Sequence, residues 1–83
     1  MSLSVVYFAW VRERIGQGSE EVETSAATVA DLVDELRARE ERYALAFSDL
    51  SALRVAVDQT LVDFDESLDG AREVAFFPPM TGG

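Results

Sequence analysis

The 83 residues include no cysteine, no histidine and no lysine, and only two prolines. Without cysteine there is neither a disulfide nor a thiolate nucleophile, which suits a reducing compartment without proving one. Without histidine no side chain titrates near neutrality at its ordinary pKa, and zinc and haem lose their usual ligands. No metal site and no bound cofactor are expected. Phosphate cradles are missing as well, since Gly16-Gln17-Gly18 is too short for a P-loop or a dinucleotide fingerprint. No apolar run approaches the roughly 18 residues that a membrane span needs, and no charged-then-apolar leader opens the chain. These absences argue against an autonomous enzyme and against a membrane partner. A cytoplasmic protein is the expectation.

What is present is acidic. Sixteen Asp and Glu face seven Arg, for a formal net charge of −9. That balance repels phosphate backbones, so nucleic acid is not expected as a partner. Two readings of the charge stand: docking to a basic surface with faster encounter at low salt, or solubility alone. A hydrophobic fraction of 48% suffices for one globular domain with a modest core.

Along the chain, Leu3 to Val11 is apolar, β-branched and aromatic on both alternation sets, which predicts a central strand. Arg12 to Gly18 is expected to turn the chain into a second, charged strand over Glu20–Thr24, suited to a sheet edge. Thr28 is a good N-cap, and Val29, Leu32, Val33 and Leu36 form one apolar helical stripe. Glu35 and Arg39 make an i,i+4 pair of favourable sense on that helix. A short helical piece is expected at Tyr43–Phe47. Leu53–Val57 and Thr60–Val62 read as a hairpin about Asp58-Gln59, and Asp69-Gly70 turns the chain into a last strand over Arg72–Phe77. The expected fold is α+β, a mixed sheet of about five strands with one main helix on one face, the first and last strands side by side.

The alternation places Phe8 and Phe77 on the uncovered face with Leu61 nearby, a candidate partner surface. Loops covering these residues, or a reversed parity, are the alternatives. After Phe77 come Pro78 and Pro79, which stop a strand and hold the chain extended. Met80, Thr81, Gly82 and Gly83 follow. The expected division is a domain over 1–78 and a slim tail over 79–83. From Phe77 the tail reaches at most roughly 20 Å. Two glycines let a narrow channel close around the last peptide bond, and the carboxylate of Gly83 is the best candidate for covalent chemistry. A frayed, functionless terminus is the competing reading.

The arrangement resembles the ubiquitin-like β-grasp fold, and in particular the small-subunit family of molybdopterin synthase, which are sulfur carriers of molybdenum cofactor biosynthesis. The resemblance spans nearly the whole chain. It rests on Val5-Val6-Tyr7-Phe8-Ala9 with Arg12-Glu13, on Thr28-Val29-Ala30-Asp31-Leu32, on Val55 to Val62, and above all on Asp69 to Gly83 with its Phe-Phe-Pro-Pro-Met-Thr-Gly-Gly ending. The family usually has Asn where Asp58 stands, and Asp near Ala71 or Arg72. The resemblance implies that a ubiquitin-activating-like adenylyltransferase uses ATP on Gly83 and that a persulfide donor supplies sulfur. It further implies that the resulting thiocarboxylate serves the large synthase subunit in a heterotetramer, where sulfur passes to a cyclic pterin phosphate to build the molybdopterin dithiolene. Catalytic side chains, and the basic groups that handle phosphate, are then expected on the partners. Gly82 and Gly83 are the implied reactive end, and Phe8, Arg12, Leu61, Phe77, Pro78, Pro79, Met80 and Thr81 the implied partner contacts. A carrier for thiamine or another pathway, and a ubiquitin-like protein modifier, remain as alternatives.

Overall fold

In a computed structural model, residues 1–79 are described. The elements in order are β1 (Ser2–Tyr7), α1 (Ala9–Ile15), β2 (Ser19–Glu23), α2 (Val29–Arg39), α3 (Glu41–Ala46), a 3₁₀ turn (Leu50–Ala52), β3 (Arg54–Val57), β4 (Thr60–Val62) and β5 (Glu73–Phe77). The strands make one five-stranded sheet in the order β2-β1-β5-β3-β4. β1 and β5 run parallel, with Val5 beside Val74 and Tyr7 beside Phe76, and the outer pairings are antiparallel. The first and last strands therefore lie together at the centre of a mixed sheet, as the sequence predicts.

One face is closed by helices. Leu3, Val5 and Tyr7 of β1, Val55 of β3 and Val74 and Phe76 of β5 meet Val29, Leu32, Val33 and Leu36 of α2 in one buried cluster. Phe47, just after α3, sets its ring edge-on to Phe76 at 4.9 Å between centroids. Strand alternation accounts for this arrangement: inward residues are large and apolar, and their neighbours face the other way. α2 starts as its cap predicts, with Thr28 Oγ1 accepting from the Asp31 N–H at 3.2 Å.

Two local expectations are corrected. β1 stops at Tyr7 rather than running to Val11, and the segment from Ala9 to Ile15 is helical rather than part of a strand and turn. Phe8 is still extended, Ala9 turns through φ 52°, and α1 then buries Val11 and Ile15 on one side. That i,i+4 pair was the helical signal, masked by the β-branched and aromatic composition around it. Gly16 closes α1 at φ 92°, its N–H bonded to the Arg12 carbonyl at 2.8 Å. The Glu35–Arg39 pair is not formed either. Glu35 instead accepts from the Thr24 hydroxyl, just after β2, and Arg39, still partly exposed, reaches Glu20 of β2 at 3.5 Å.

The β3–β4 turn is tight, with Asp58 at φ 49° and Gln59 at φ 70°. Asp58 Oδ1 accepts from the N–H groups of both Arg72 and Glu73 at 3.0 Å, tying the turn to the start of β5. Aspartate does here what a side-chain amide oxygen would do, so replacing the family's usual Asn leaves the junction intact. Leu68 is fully buried, and its N–H bonds the Ala27 carbonyl at 2.9 Å, which holds the 63–68 connector against the start of α2.

Candidate functional site

The sheet face away from the helices is open, and strand register determines what it displays. Ser19, Val6, Ala75, Ala56 and Leu61 lie in one row across the five strands. One step towards the C-terminal end of β5, Phe77 lies opposite Arg54 on β3. Phe8 continues β1 at that same end, its N–H bonded to the Phe76 carbonyl at 3.1 Å. Phe8 is 50% exposed and Leu61 66% exposed, both large for solvent-facing apolar side chains. The structure thus brings Phe8, Leu61 and Phe77 onto one face, in the parity expected from the sequence.

Pro78 and Pro79 follow β5 directly and are half-buried. They leave the sheet at the end where Phe8 and Phe77 sit. Arg12 lies at the same end on α1, its side chain against Gly18, where an added Cβ would approach Arg12 Nε to 3.4 Å. The expectations for Met80, Thr81, Gly82 and Gly83 lie outside the described residues.

Sequence reasoning passed over Arg54. Basic groups were expected on the partners, yet Arg54 stands across the ladder from Phe77. The outward parity of Arg54 was readable from the buried Leu53 and Val55 on either side, but its neighbour on β5 was not. Ala9 was also missed as a conformational residue, because only the backbone trace reveals its positive φ.

Behind the open face, under the helices, the Tyr7 hydroxyl donates to Glu20 Oε2 at 2.8 Å and the Tyr43 hydroxyl donates to the same oxygen at 2.5 Å. Gln17 Nε2 donates to the Tyr43 hydroxyl at 3.3 Å, and Arg39 pairs with the other Glu20 oxygen. Burial, then the bond to Glu20, pushes the Tyr7 phenol well above its ordinary range, and Tyr43 moves the same way for the same reasons. Neither phenol is poised for proton transfer near neutrality. The network links β1 and β2 to α2 and α3. A concavity of about 600 Å³, lined in part by Met1, Thr24, Glu35 and Arg39, opens at the end of the sheet away from Phe77. Among the described residues no group of three or more acidic, His or Cys side chains is placed to hold a metal ion.

A mixed sheet grasping one main helix, with its last central strand delivering the chain from an open apolar face, defines a ubiquitin-like β-grasp domain. The chain belongs to the ThiS family, which matches residues 5–83. It is 47% identical over 81 residues to the molybdopterin synthase sulfur carrier subunit of Escherichia coli, covering 98% of this chain and 99% of that one. It is similar to the crystal structure of SAMP1 from Haloferax volcanii, with a TM-score of 0.79, 25% identity and full coverage of both chains. The same fold occurs in the complex of subunits 1 and 2 of the molybdopterin-converting factor from Helicobacter pylori, with a TM-score of 0.65, 21% identity and 100% coverage of each chain.

Proposed function

We propose that this chain is the sulfur carrier subunit of a molybdopterin synthase, acting in molybdenum cofactor biosynthesis. Near-full-length identity of 47% to a subunit of that name carries the reading. The geometry supports it, because Phe77-Pro78-Pro79 leaves the sheet beside an exposed apolar face that can seat on a partner while the tail reaches inward.

The chemistry follows from what a carboxylate can and cannot do. The Gly83 carboxylate is inert to sulfur until one oxygen attacks the α-phosphorus of ATP and pyrophosphate leaves, giving an acyl adenylate. A persulfide sulfur of the donor then attacks the acyl carbon and AMP leaves with the oxygen. A thiol cleaves the remaining S–S bond, supplying the electron pair and forming a disulfide with the donor, and Gly83 is left as a thiocarboxylate. On the large subunit that sulfur attacks a side-chain carbon of the pterin and displaces an oxygen substituent from it, and water cleaves the resulting thioester at the Gly83 carbonyl, leaving sulfur on the pterin and regenerating the carboxylate. Two transfers complete a dithiolene. Closing around the tail excludes water from the adenylate, and Gly82-Gly83 leaves room for the closure. Pro78-Pro79 lowers the ordering cost, which runs at about 1–2 kcal/mol per flexible residue. The activating enzyme, the persulfide donor, the heterotetrameric assembly and a cytoplasmic location belong to this reading. The complex of the two converting-factor subunits in Helicobacter pylori supports a large-subunit partner.

Intact-mass analysis after incubation with the activating enzyme, ATP and a sulfur donor tests the proposal. One oxygen exchanged for sulfur at Gly83, lost again on adding large subunit and pterin substrate, is the expected result. Deleting Gly83, or adding a residue after it, abolishes loading while the thermal melt stays unchanged. Attachment to lysines of other proteins in place of sulfur exchange would overturn the reading in favour of a modifier.

A further inference from the structure

We infer that charges sorted along the strands of the open face fix its docking orientation, with Arg54 at the tail end seated against a carboxylate of the large subunit and Glu21 and Glu73 at the far end against its cations. The inference rests on the sulfur-carrier reading and names the chemistry of the complementary surface, which that reading leaves open.

The sorting follows from register. The row nearest the tail holds Phe77 and Arg54. The next holds Val6, Ala75, Ala56 and Leu61, none of them charged. The row beyond pairs Glu21 with Ser4 and Ser4 with Glu73, and Glu23 lies further still beside Ser2. Going from Phe77 to Glu73 is four residues along β5, or about 13 Å at the rise of a strand. That exceeds the Debye length of roughly 10 Å at 0.1 M salt, so the two ends act as separate charges rather than cancelling. A chain with a net charge of −9 therefore shows a cation where its tail departs.

Arg54 is available for a partner. The ion pairs among the described residues involve the Met1 amino group, Arg37, Arg39 and Arg42, and not Arg54. Its Nη1 donates to the Leu53 carbonyl at 2.8 Å and to the Ser51 carbonyl at 3.5 Å, and its Nε and Nη2 meet no acceptor among the described residues. The two carboxylates nearest in sequence are engaged elsewhere: Asp58 accepts from the N–H groups of Arg72 and Glu73, both at 3.0 Å, and Asp49 from the Ser51 N–H at 3.1 Å and the Ser51 hydroxyl at 2.6 Å. When Phe77 and Leu61 are covered, Arg54 is dehydrated with them. A guanidinium in that position requires a carboxylate opposite, and a forked one suits it. Reversing the carrier by half a turn on the face would set Arg54 against cations and Glu73 against carboxylates, which charge repulsion forbids.

The test is calorimetric titration of the purified large subunit with wild-type carrier, Arg54→Gln, Arg54→Glu and Glu21→Arg, each at low and at high salt, with melting curves to verify folding. Arg54→Glu is expected to weaken binding by about tenfold or more at low salt, and the deficit shrinks at high salt. Arg54→Gln weakens it by a smaller factor, and Glu21→Arg weakens it as well. Changing the facing carboxylate of the large subunit to Arg restores binding to Arg54→Glu. Folded Arg54→Gln and Arg54→Glu proteins that bind as the wild type does would overturn the inference and leave the carrier reading standing. Failure of the wild type itself to bind would overturn both.

Discussion

Ala9 is the residue on which the open face turns. It occupies φ 52°, a region that costs a residue with a Cβ roughly 1–2 kcal/mol. The turn there ends β1 and lets α1 close the core behind Phe8. Ala9→Gly is expected to be neutral or stabilising by up to about 1 kcal/mol, because relief of strain outweighs the freedom glycine regains when unfolded. Ala9→Val adds a branched side chain to the same strain and should destabilise by about 2 kcal/mol. Urea denaturation measures both. Tyr7 yields a prediction about pH. Its phenol stays protonated in the fold beyond the ordinary value of 10.0, so above that pH the unfolded chain gives up a proton that the folded chain keeps. Stability from this group is whole below pH 10 and falls as the pH rises, by up to about 1.4 kcal/mol per unit. Tyr7→Phe should flatten the alkaline limb of a stability–pH curve, at a cost of about 1–2 kcal/mol at neutral pH from losing the bond to Glu20.

Among the elements, the β3–β4 hairpin was legible from Asp58-Gln59 alone, and α2 from its cap and stripe. What the hairpin turn does was not legible. Asp58 Oδ1 holds two backbone N–H groups of the chain entering β5, fourteen and fifteen residues away, both at 3.0 Å. Asp58→Ala should cost about 1–3 kcal/mol, and Asp58→Asn well under half of that, as read from the midpoint of chemical denaturation. α1 eluded sequence reasoning for a physical reason. Trp10 and Val11 favour strands by composition, and only the buried partners of Val11 and Ile15 in the core make a helix the better solution there. Tertiary contact likewise redirected Glu35 and Arg39 from each other to β2 and the residue after it, Glu35 to Thr24 and Arg39 to Glu20.

At the scale of the whole molecule, one face is spent on the core and the other stays open, with Phe8 and Leu61 exposed on it. Leu61 contributes little to stability at 66% exposure. Leu61→Glu should therefore leave the melting temperature within a degree or two while weakening capture by the large subunit about tenfold or more, measured by pull-down and titration. A loss of stability in step with the loss of binding would show Leu61 to be structural. By itself the sequence determined the class of fold, the pairing of the first and last strands, the alternation that lets Phe8 and Phe77 share a face, and the slim Gly-Gly end, because alternation, caps and terminators are local patterns that physics reads within a few residues. Only the tertiary structure decided that β1 gives way to a helix after Tyr7, that Arg54 stands across from Phe77, and that the face runs from a cation to carboxylates. Those depend on register between strands far apart in the chain, and register is set by the packing of the whole sheet against its helices.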